Sequence, residues 1–257
     1  ECGGSQVMME QYLDFLVNRT FRQTVLVKQE RGQDIRYRLD SERIRDLEFA
    51  GVFSTESGDA LTVDAREQPC TAQRGVKVTL RLPVHKVVAQ MLEARYPASA
   101  SAEVLIDTAT RLTGEPRDAV ERIVLAMLEE LVILGALRFR RTPVPAATEI
   151  SSLPQALATV RGARGLALTE GANAQTCNLW HEPVSLSLLE RSLLPLLDGM
   201  HSQEALAEHL VVEAHDSRLR FIKDGKPLTD SEALKEFVQQ QVALALKDLR
   251  RKALLSA

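Results

Sequence analysis

The strongest structural signal in the sequence is a stripe of apolar residues along 116–134. Its members recur with helical periodicity and are Val120, Ile123, Val124, Met127, Leu128, Leu131 and Leu134. This periodicity places them on one side of an α-helix, and Pro116 is a residue that favours the first helical turn. We therefore predict a long amphipathic helix, whose apolar side must pack against other elements.

The elements predicted to pack against this helix surround it in the sequence. Two shorter helices are expected at 84–95 and 101–113, the second of them ended by Gly114. The alternating segment VKVTLRL supplies a strand before them, and ALRFRR supplies a short strand after the long helix. Short helices that lead into a long one, together with a paired strand or hairpin, are typical of a winged helix.

The same order of elements returns after a segment with two prolines, TPVPAAT at 142–148. Helices are predicted at 186–197 and 203–214, followed by a hairpin around Asp224-Gly225 and a long final helix. The predicted fold class is therefore α+β and helix-rich, with two winged-helix-like domains and small antiparallel hairpins. The predicted domains are residues 1–141 and 142–257.

The segment EQYLDFLVNRTFRQTVL, at residues 10–26, lies near the start of the first predicted domain, before the helices named above. Its apolar spacing predicts a short helix over 9–20. A polar stripe with i, i+4 spacing follows another side of that helix: Glu10, Asp14, Asn18 and Arg22. A hairpin that turns at ERGQD is expected next, and then a short helix capped by Ser41.

Composition and charge exclude several classes of partner. The net charge of -3 gives no general attraction to nucleic acid or to an anionic membrane, and 4% aromatic residues are too few for a base-stacking surface. No apolar run reaches the ~18 residues of a membrane span. Cys2, Cys70 and Cys177 are odd in number and far apart, which favours a reducing compartment over a disulfide framework. We expect a cytoplasmic protein with neither nucleic acid nor membrane as partner.

Motifs that carry catalysis are missing from the sequence. A class I methyltransferase, kinase or dehydrogenase needs a glycine-rich turn between a strand and a helix. The nearest match, GARGLALTEG at 162–171, follows no predicted strand and is expected to be a loop. His201, His209 and His215 lie on or beside one short helix, where surface histidines are expected. We assign no catalytic, cofactor-binding or metal-binding residue and expect no cofactor in this chain.

Two other functions stay open at this point. One is a winged-helix DNA-binding transcriptional regulator, although helix 116–134 is acidic and the basic residues of the last helix gather at its C-terminus, where the helix dipole favours them. The other is an enzyme whose site surrounds Trp180 and His181. For that pair, a packed aromatic ring beside a histidine at a strand end is the favoured interpretation.

Several phrases resemble a known family. EQYLDFLVNRTFRQTVL is similar to the opening of the methyltransferase regulatory domain, which follows the catalytic domain in a family of bacterial S-adenosylmethionine-dependent methyltransferases. SERIRDLEFAG, LPVHKVVAQMLEARYP and LEELVILGALRF resemble later parts of that domain. NLWHEPVSLSLLERSLLPLLDG, at residues 178–199, resembles the start of the C-terminal winged-helix domain in the protein-lysine methyltransferase type of this family.

The resemblance implies a non-catalytic regulatory or substrate-engaging module of a class I methyltransferase, with protein lysine as the acceptor that the domain order indicates. S-adenosylmethionine would bind an upstream catalytic domain, and a start without Met fits a piece of a longer chain. The implied partners are that catalytic domain and a protein substrate. We expect the first helix to contact the catalytic domain through Tyr12, Asp14, Arg19 and Arg22, and a solvated helix face is the alternative.

Overall fold

The computed structural model describes residues 6–21, 26–35, 41–55, 58–161, 174–216, 219–223, 226–228 and 230–256. Two compact units are present, Glu1–Arg43 and Ile44–Ala257. The described α-helices are α1 (Gln6–Leu16), α2 (Ser41–Ile44), α3 (Pro83–Arg95), α4 (Ala102–Thr113), α5 (Arg117–Ile133), α6 (Ala158–Arg161), α7 (Leu188–Leu193), α8 (Gln203–His215) and α9 (Ser231–Arg251). The strands are β1 (Glu48–Ala50), β2 (Ser54–Thr55), β3 (Gln68–Thr71), β4 (Lys77–Leu80), β5 (Ala100–Ser101), β6 (Arg138–Arg140), β7 (Ala174–Cys177), β8 (Pro183–Leu186), β9 (Ile222–Lys223) and β10 (Lys226–Pro227).

In the first unit, α1 ends earlier than the predicted helix over 9–20. Asn18 adopts a left-handed φ of 51°, and its N–H donates to the Phe15 carbonyl. The Arg19 N–H donates to the Asp14 carbonyl at 2.9 Å, which completes a Schellman motif. The predicted polar stripe therefore stops at Asp14, since Asn18 lies beyond the helix, and Arg22 is outside the described residues.

The hairpin predicted at ERGQD is wrong for the described residues. Gln29–Asp34 form a 3₁₀ helix, and the described neighbours at 26–28 and 35 are in no strand. Local pairing favours this tight turn, because Arg31 forms an ion pair with Asp34 at 3.2 Å and its N–H donates to the Lys28 carbonyl. The remaining residues of the predicted strands lie outside the described part.

Residues 44–137 contain one apolar core, in which α3, α4 and α5 pack together beside an antiparallel sheet of order β5-β1-β6. A second small sheet, β2-β3-β4, adds a hairpin to it. The stripe predicted on α5 is confirmed at its buried members, which are Val120, Val124, Met127, Leu128 and Leu131. Leu134 remains 47% exposed, because α5 ends at Ile133.

Residues 147–255 contain a second core, formed mainly by α7, α8 and α9. Ser187 opens α7 with a capping box completed by Glu190, and the Asp230 side chain caps α9. Antiparallel hairpins β7-β8 and β9-β10 accompany these helices. The helix-rich α+β fold class is confirmed, whereas the limits proposed for the two domains stay a prediction.

Within the described ranges, no helix combines the length and apolar character needed to cross a bilayer. In the same ranges, no three His, Cys, Asp or Glu side chains are grouped so that they could hold a metal ion.

Candidate functional site

A third, smaller apolar cluster lies where the two cores of the second unit adjoin, and we call it the junction. Its buried members come from both sides: Ala50, Tyr96, Ala98, Val144, Ala146, Trp180 and Ala253. Trp180 is 8% exposed, and its Nε1–H donates to the Pro97 carbonyl at 2.9 Å. The interpretation of Trp180 as a packed aromatic residue is confirmed. This side chain holds the β7-β8 hairpin in contact with the end of α3.

The turn that carries Trp180 is held by an asparagine side chain. Asn178 Oδ1 accepts from the backbone N–H of Trp180 at 2.8 Å and from that of Glu182 at 3.0 Å. Between them, His181 takes a left-handed φ of 57°. Asparagine favours such turns because its side chain replaces backbone partners. The turn thus fixes the directions of the Trp180 and Glu182 side chains.

Arg138 of β6 occupies the polar edge of the junction. Its guanidinium donates two hydrogen bonds to Glu182, at 2.9 and 2.5 Å, and a third to the Tyr96 hydroxyl. It also lies over the rings of Tyr96 and Trp180, 5.3 and 6.0 Å from their centroids. Sequence reasoning missed Arg138, Tyr96 and Glu182 as a group, because they come from three elements far apart in the chain.

Arg138 and Glu182 stabilise each other in their charged forms. Burial alone would lower the pKa of Arg138, but hydrogen bonding and charge from Glu182 and Tyr96 outweigh it and raise the pKa. Burial would raise the pKa of Glu182, and Arg138, Asn178 and Arg74 outweigh it and lower that pKa. Both groups stay charged at neutral pH, so neither is suited to exchange a proton there. The arrangement therefore gives no support to an enzyme site around Trp180.

An open groove of about 550 Å³ runs along the junction, and we call it the junction groove. Its polar and charged lining comes from both sides of the junction: Arg74, Arg138, Arg140, His181 and Glu182. Arg74 is at the tip of the β3-β4 hairpin, where its φ is 58° and its guanidinium is 3.7 Å from Glu182. Arg140 Nη1 donates to the Leu179 carbonyl at 2.6 Å.

A buried lysine fixes another part of the second unit. Lys86 of α3 is fully buried, and its ammonium donates to Asp64 Oδ1 at 2.8 Å, to the Asp64 carbonyl at 2.7 Å and to the Arg66 carbonyl. Hydrogen bonds from Lys86 and Arg66 lower the pKa of Asp64 to about 2. All three acceptors belong to the loop before β3, so this lysine ties the loop to the core.

The residues predicted to contact a catalytic domain lie in the first unit. Tyr12 is 57% exposed, and Asp14 and Arg19 form an ion pair with each other at 3.4 Å. Apolar side chains of α1 and the residues after it are also exposed: Val7, Met8, Met9, Leu13, Phe15, Leu16, Val17, Phe21 and Leu26. The contact through Tyr12, Asp14, Arg19 and Arg22 stays a prediction.

The described residues do not fit the usual site for S-adenosylmethionine. That site needs a glycine-rich turn after a strand of a parallel sheet. The described strand pairs are all antiparallel. The connections from a described strand to the next α-helix carry Arg81 and Leu82 before α3, no intervening residue before α4 and Ser187 before α7. The connections before α6, at 141–157, and before α9, at 228–230, also lack glycine in sequence. The glycine-rich segment at 162–171 lies outside the described residues.

Charged side chains at the end of α9 and along α8 weaken the DNA-binding alternative. At the basic end of α9, Arg250 donates to the carbonyls of Tyr96 and Thr148, and Lys252 pairs with the buried Glu190 at 2.5 Å. These cations are therefore used within the fold. Helix α8 contributes three acidic residues, Glu204, Glu208 and Glu213, which would repel phosphates.

Comparison with known proteins found a match to one family model and similarity to solved structures. Residues 154–254 match the family described as PKMT, C-terminal winged helix domain. The structure of PKMT2 from Rickettsia typhi is similar over 99% of this chain and 51% of that chain, with a TM-score of 0.81 and 21% identity. The structure of PKMT2 from Rickettsia typhi in complex with AdoHcy covers 97% and 49%, with a TM-score of 0.77 and 23% identity. Among curated proteins, none matches significantly.

The family match and the structural similarity support different conclusions. The family match confirms that residues 154–254 are a winged helix of the type found in protein-lysine methyltransferases. At this level of identity, the similarity to the Rickettsia typhi structures establishes the fold of the rest of the chain. The chain spans about half the length of those two structures.

Proposed function

We propose that this chain is a regulatory or substrate-engaging module of a class I S-adenosylmethionine-dependent methyltransferase that acts on protein lysine. The observation that carries the proposal is the match of residues 154–254 to the PKMT winged helix. The chain covers about half of PKMT2 from Rickettsia typhi, which fits an enzyme whose two halves have different roles. In this proposal the other half binds S-adenosylmethionine, and this half is not an enzyme by itself.

In this proposal the second unit is a rigid support, and the first unit supplies the surface that docks on the catalytic domain. Trp180 and Arg138 join the two cores of the second unit, so that this unit keeps a fixed shape against a protein substrate. The first unit docks on the catalytic domain, because Phe15, Leu16 and Phe21 are 84%, 81% and 91% exposed and such apolar exposure favours a protein partner. Free thiols at Cys70 and Cys177 fit a reducing compartment, and we place the protein in the cytoplasm.

Replacing Arg19 and Arg22 by alanine tests the docking surface. In the protein that joins this chain to its catalytic half, the double variant is expected to lower the rate of methyl transfer to a protein substrate roughly 5- to 30-fold, the effect of losing one or two kcal/mol at an interface. The melting temperature of this chain alone should change little, since Arg19 is 54% exposed.

Arg31→Ala is the matched control for that experiment. Arg31 also lies in the first unit, is 70% exposed and pairs with one carboxylate, Asp34, at 3.2 Å. Its replacement should leave methyl transfer unchanged. Full activity of the Arg19 and Arg22 double variant would show that these residues belong to an ordinary solvated surface. An equal loss of activity in Arg31→Ala would lead to the same conclusion.

A further inference from the structure

We infer that the junction groove binds an extended, acidic segment of a polypeptide. The inference deepens the proposed function, on which it rests for the role of that segment as part of a protein presented for methylation. Three features of the groove lead to it: an excess of positive charge, an open strand edge and two fixed backbone positions. Each is a property of described residues in the second unit.

The charge of the groove is positive although the chain carries -3 overall. Three guanidinium groups, of Arg74, Arg138 and Arg140, share the groove with one carboxylate, Glu182. Arg138 takes both oxygens of that carboxylate, and Arg140 is bonded to a neutral carbonyl. Arg74 keeps a single contact with Glu182 at 3.7 Å, and its side chain is 70% exposed. Two positive charges therefore remain for carboxylates of a ligand.

The backbone of the groove favours an extended polypeptide. Strand β6 is at the edge of the β5-β1-β6 sheet, paired with β1 on one side, and no described strand pairs with its other side. An open edge offers N–H and C=O groups at the spacing of a β-strand, and peptides bind by adding a strand there. Phe139, in the middle of β6, is 48% exposed and lines the same groove, where it can contact an apolar side chain.

Two residues of the lining hold backbone conformations that are unfavourable for side chains with a Cβ. Arg74 has a φ of 58° on the first core's side, and His181 has a φ of 57° on the second core's side. Residues other than glycine in this conformation are uncommon, and they cluster at ligand-binding positions. Here they fix Arg74 on one wall of the groove and the turn that contains His181 on the other wall.

A polypeptide fits these features better than a nucleic acid does. The open strand edge recognises amide groups, which nucleic acids lack. Trp180, the one tryptophan in the chain, is buried by the junction and cannot stack on a base.

Fluorescence anisotropy with the intact chain tests the inference directly. The probe is a fluorescein-labelled dodecapeptide that repeats Asp-Val-Ser, compared with a twin that repeats Asn-Val-Ser. We expect the acidic peptide to bind, to weaken as sodium chloride is raised, and to bind at least about tenfold more tightly than its amide twin. Failure of the acidic peptide to bind at low salt, or equal binding of the twin, overturns the inference.

Variants assign the binding to this groove. Arg74→Glu should weaken binding of the acidic peptide at least about tenfold, and Arg74→Gln should give a smaller loss. The matched control is Arg81→Glu, because Arg81 is 69% exposed and pairs with one carboxylate, Glu67, at 3.3 Å. Arg81→Glu should change the affinity less than about twofold. Equal losses in Arg81→Glu and Arg74→Glu overturn the assignment.

One further arm of the assay tests a nucleic acid as the alternative ligand. Displacement of the acidic peptide by a thymidine dodecanucleotide at equal affinity would overturn the inference in favour of a nucleic-acid site. The assay contains no S-adenosylmethionine and no catalytic half. Loss of peptide binding therefore contradicts the groove alone, and it leaves the proposed methyltransferase module to its own test.

Discussion

Trp180→Ala is expected to lower the free energy of unfolding by about 4 kcal/mol, the largest effect of any single substitution considered for this chain. Trp180 is 8% exposed, so truncation leaves a cavity at the junction. It also removes the hydrogen bond to the Pro97 carbonyl and one face against which Arg138 packs. The measurement is urea unfolding followed by far-ultraviolet circular dichroism.

One further variant separates packing from hydrogen bonding, and a second variant is the control at an exposed position. Trp180→Phe keeps an aromatic ring but leaves the Pro97 carbonyl without the indole N–H, and it should cost about 1–3 kcal/mol. Met200→Ala truncates a side chain that is 81% exposed and should change stability by less than about 0.5 kcal/mol. A cost below about 1 kcal/mol for Trp180→Ala would contradict the junction as the support of the second unit.

Lys86→Met is expected to lower the free energy of unfolding by about 3 kcal/mol. Lys86 is fully buried, and methionine fills a similar volume, so the variant isolates the loss of the ammonium. That loss leaves Asp64 and two loop carbonyls without their shared donor. Lys247→Met, at an exposed position of α9, should change stability by less than about 0.5 kcal/mol.

The pH dependence gives the same pair a second test. Because the pKa of Asp64 falls from its ordinary 3.8 to about 2 in the folded chain, the stabilisation is fully present above pH 3.8 and is lost as pH falls through about 2. The difference in stability between the wild type and Lys86→Met should therefore shrink as pH falls from about 4 toward 2. A difference that is small at neutral pH, or that stays constant on acidification, would contradict the role of this ion pair.

The helices of the second unit could be predicted closely from the sequence. The predicted 84–95, 101–113 and 116–134 correspond to Pro83–Arg95, Ala102–Thr113 and Arg117–Ile133. Apolar periodicity and local stop signals are sufficient there, since a helix is built from contacts within a few residues. In the first unit, by contrast, the end of α1 depends on the left-handed conformation of Asn18, which the apolar pattern does not report.

The junction could not be predicted in the same way. Arg138 meets Tyr96 and Glu182, which are 42 and 44 residues away in sequence, and no periodicity connects such positions. The signal available was the single tryptophan in NLWHEP, a large aromatic residue among polar ones. Lys86 offered a comparable signal, a lysine directly before two valines in VHKVV. Both sites are tertiary, and only the folded chain brings their partners together.

Titration of the 257-residue chain with S-adenosylmethionine by isothermal calorimetry tests whether this chain binds the cofactor by itself. In the proposed function, S-adenosylmethionine binds the other half of the methyltransferase, because the described strands here are antiparallel and their connections to α-helices lack glycine. We predict no binding heat up to millimolar cofactor. Saturable binding of S-adenosylmethionine in the micromolar range would overturn the proposed function, since this chain would then hold the cofactor itself.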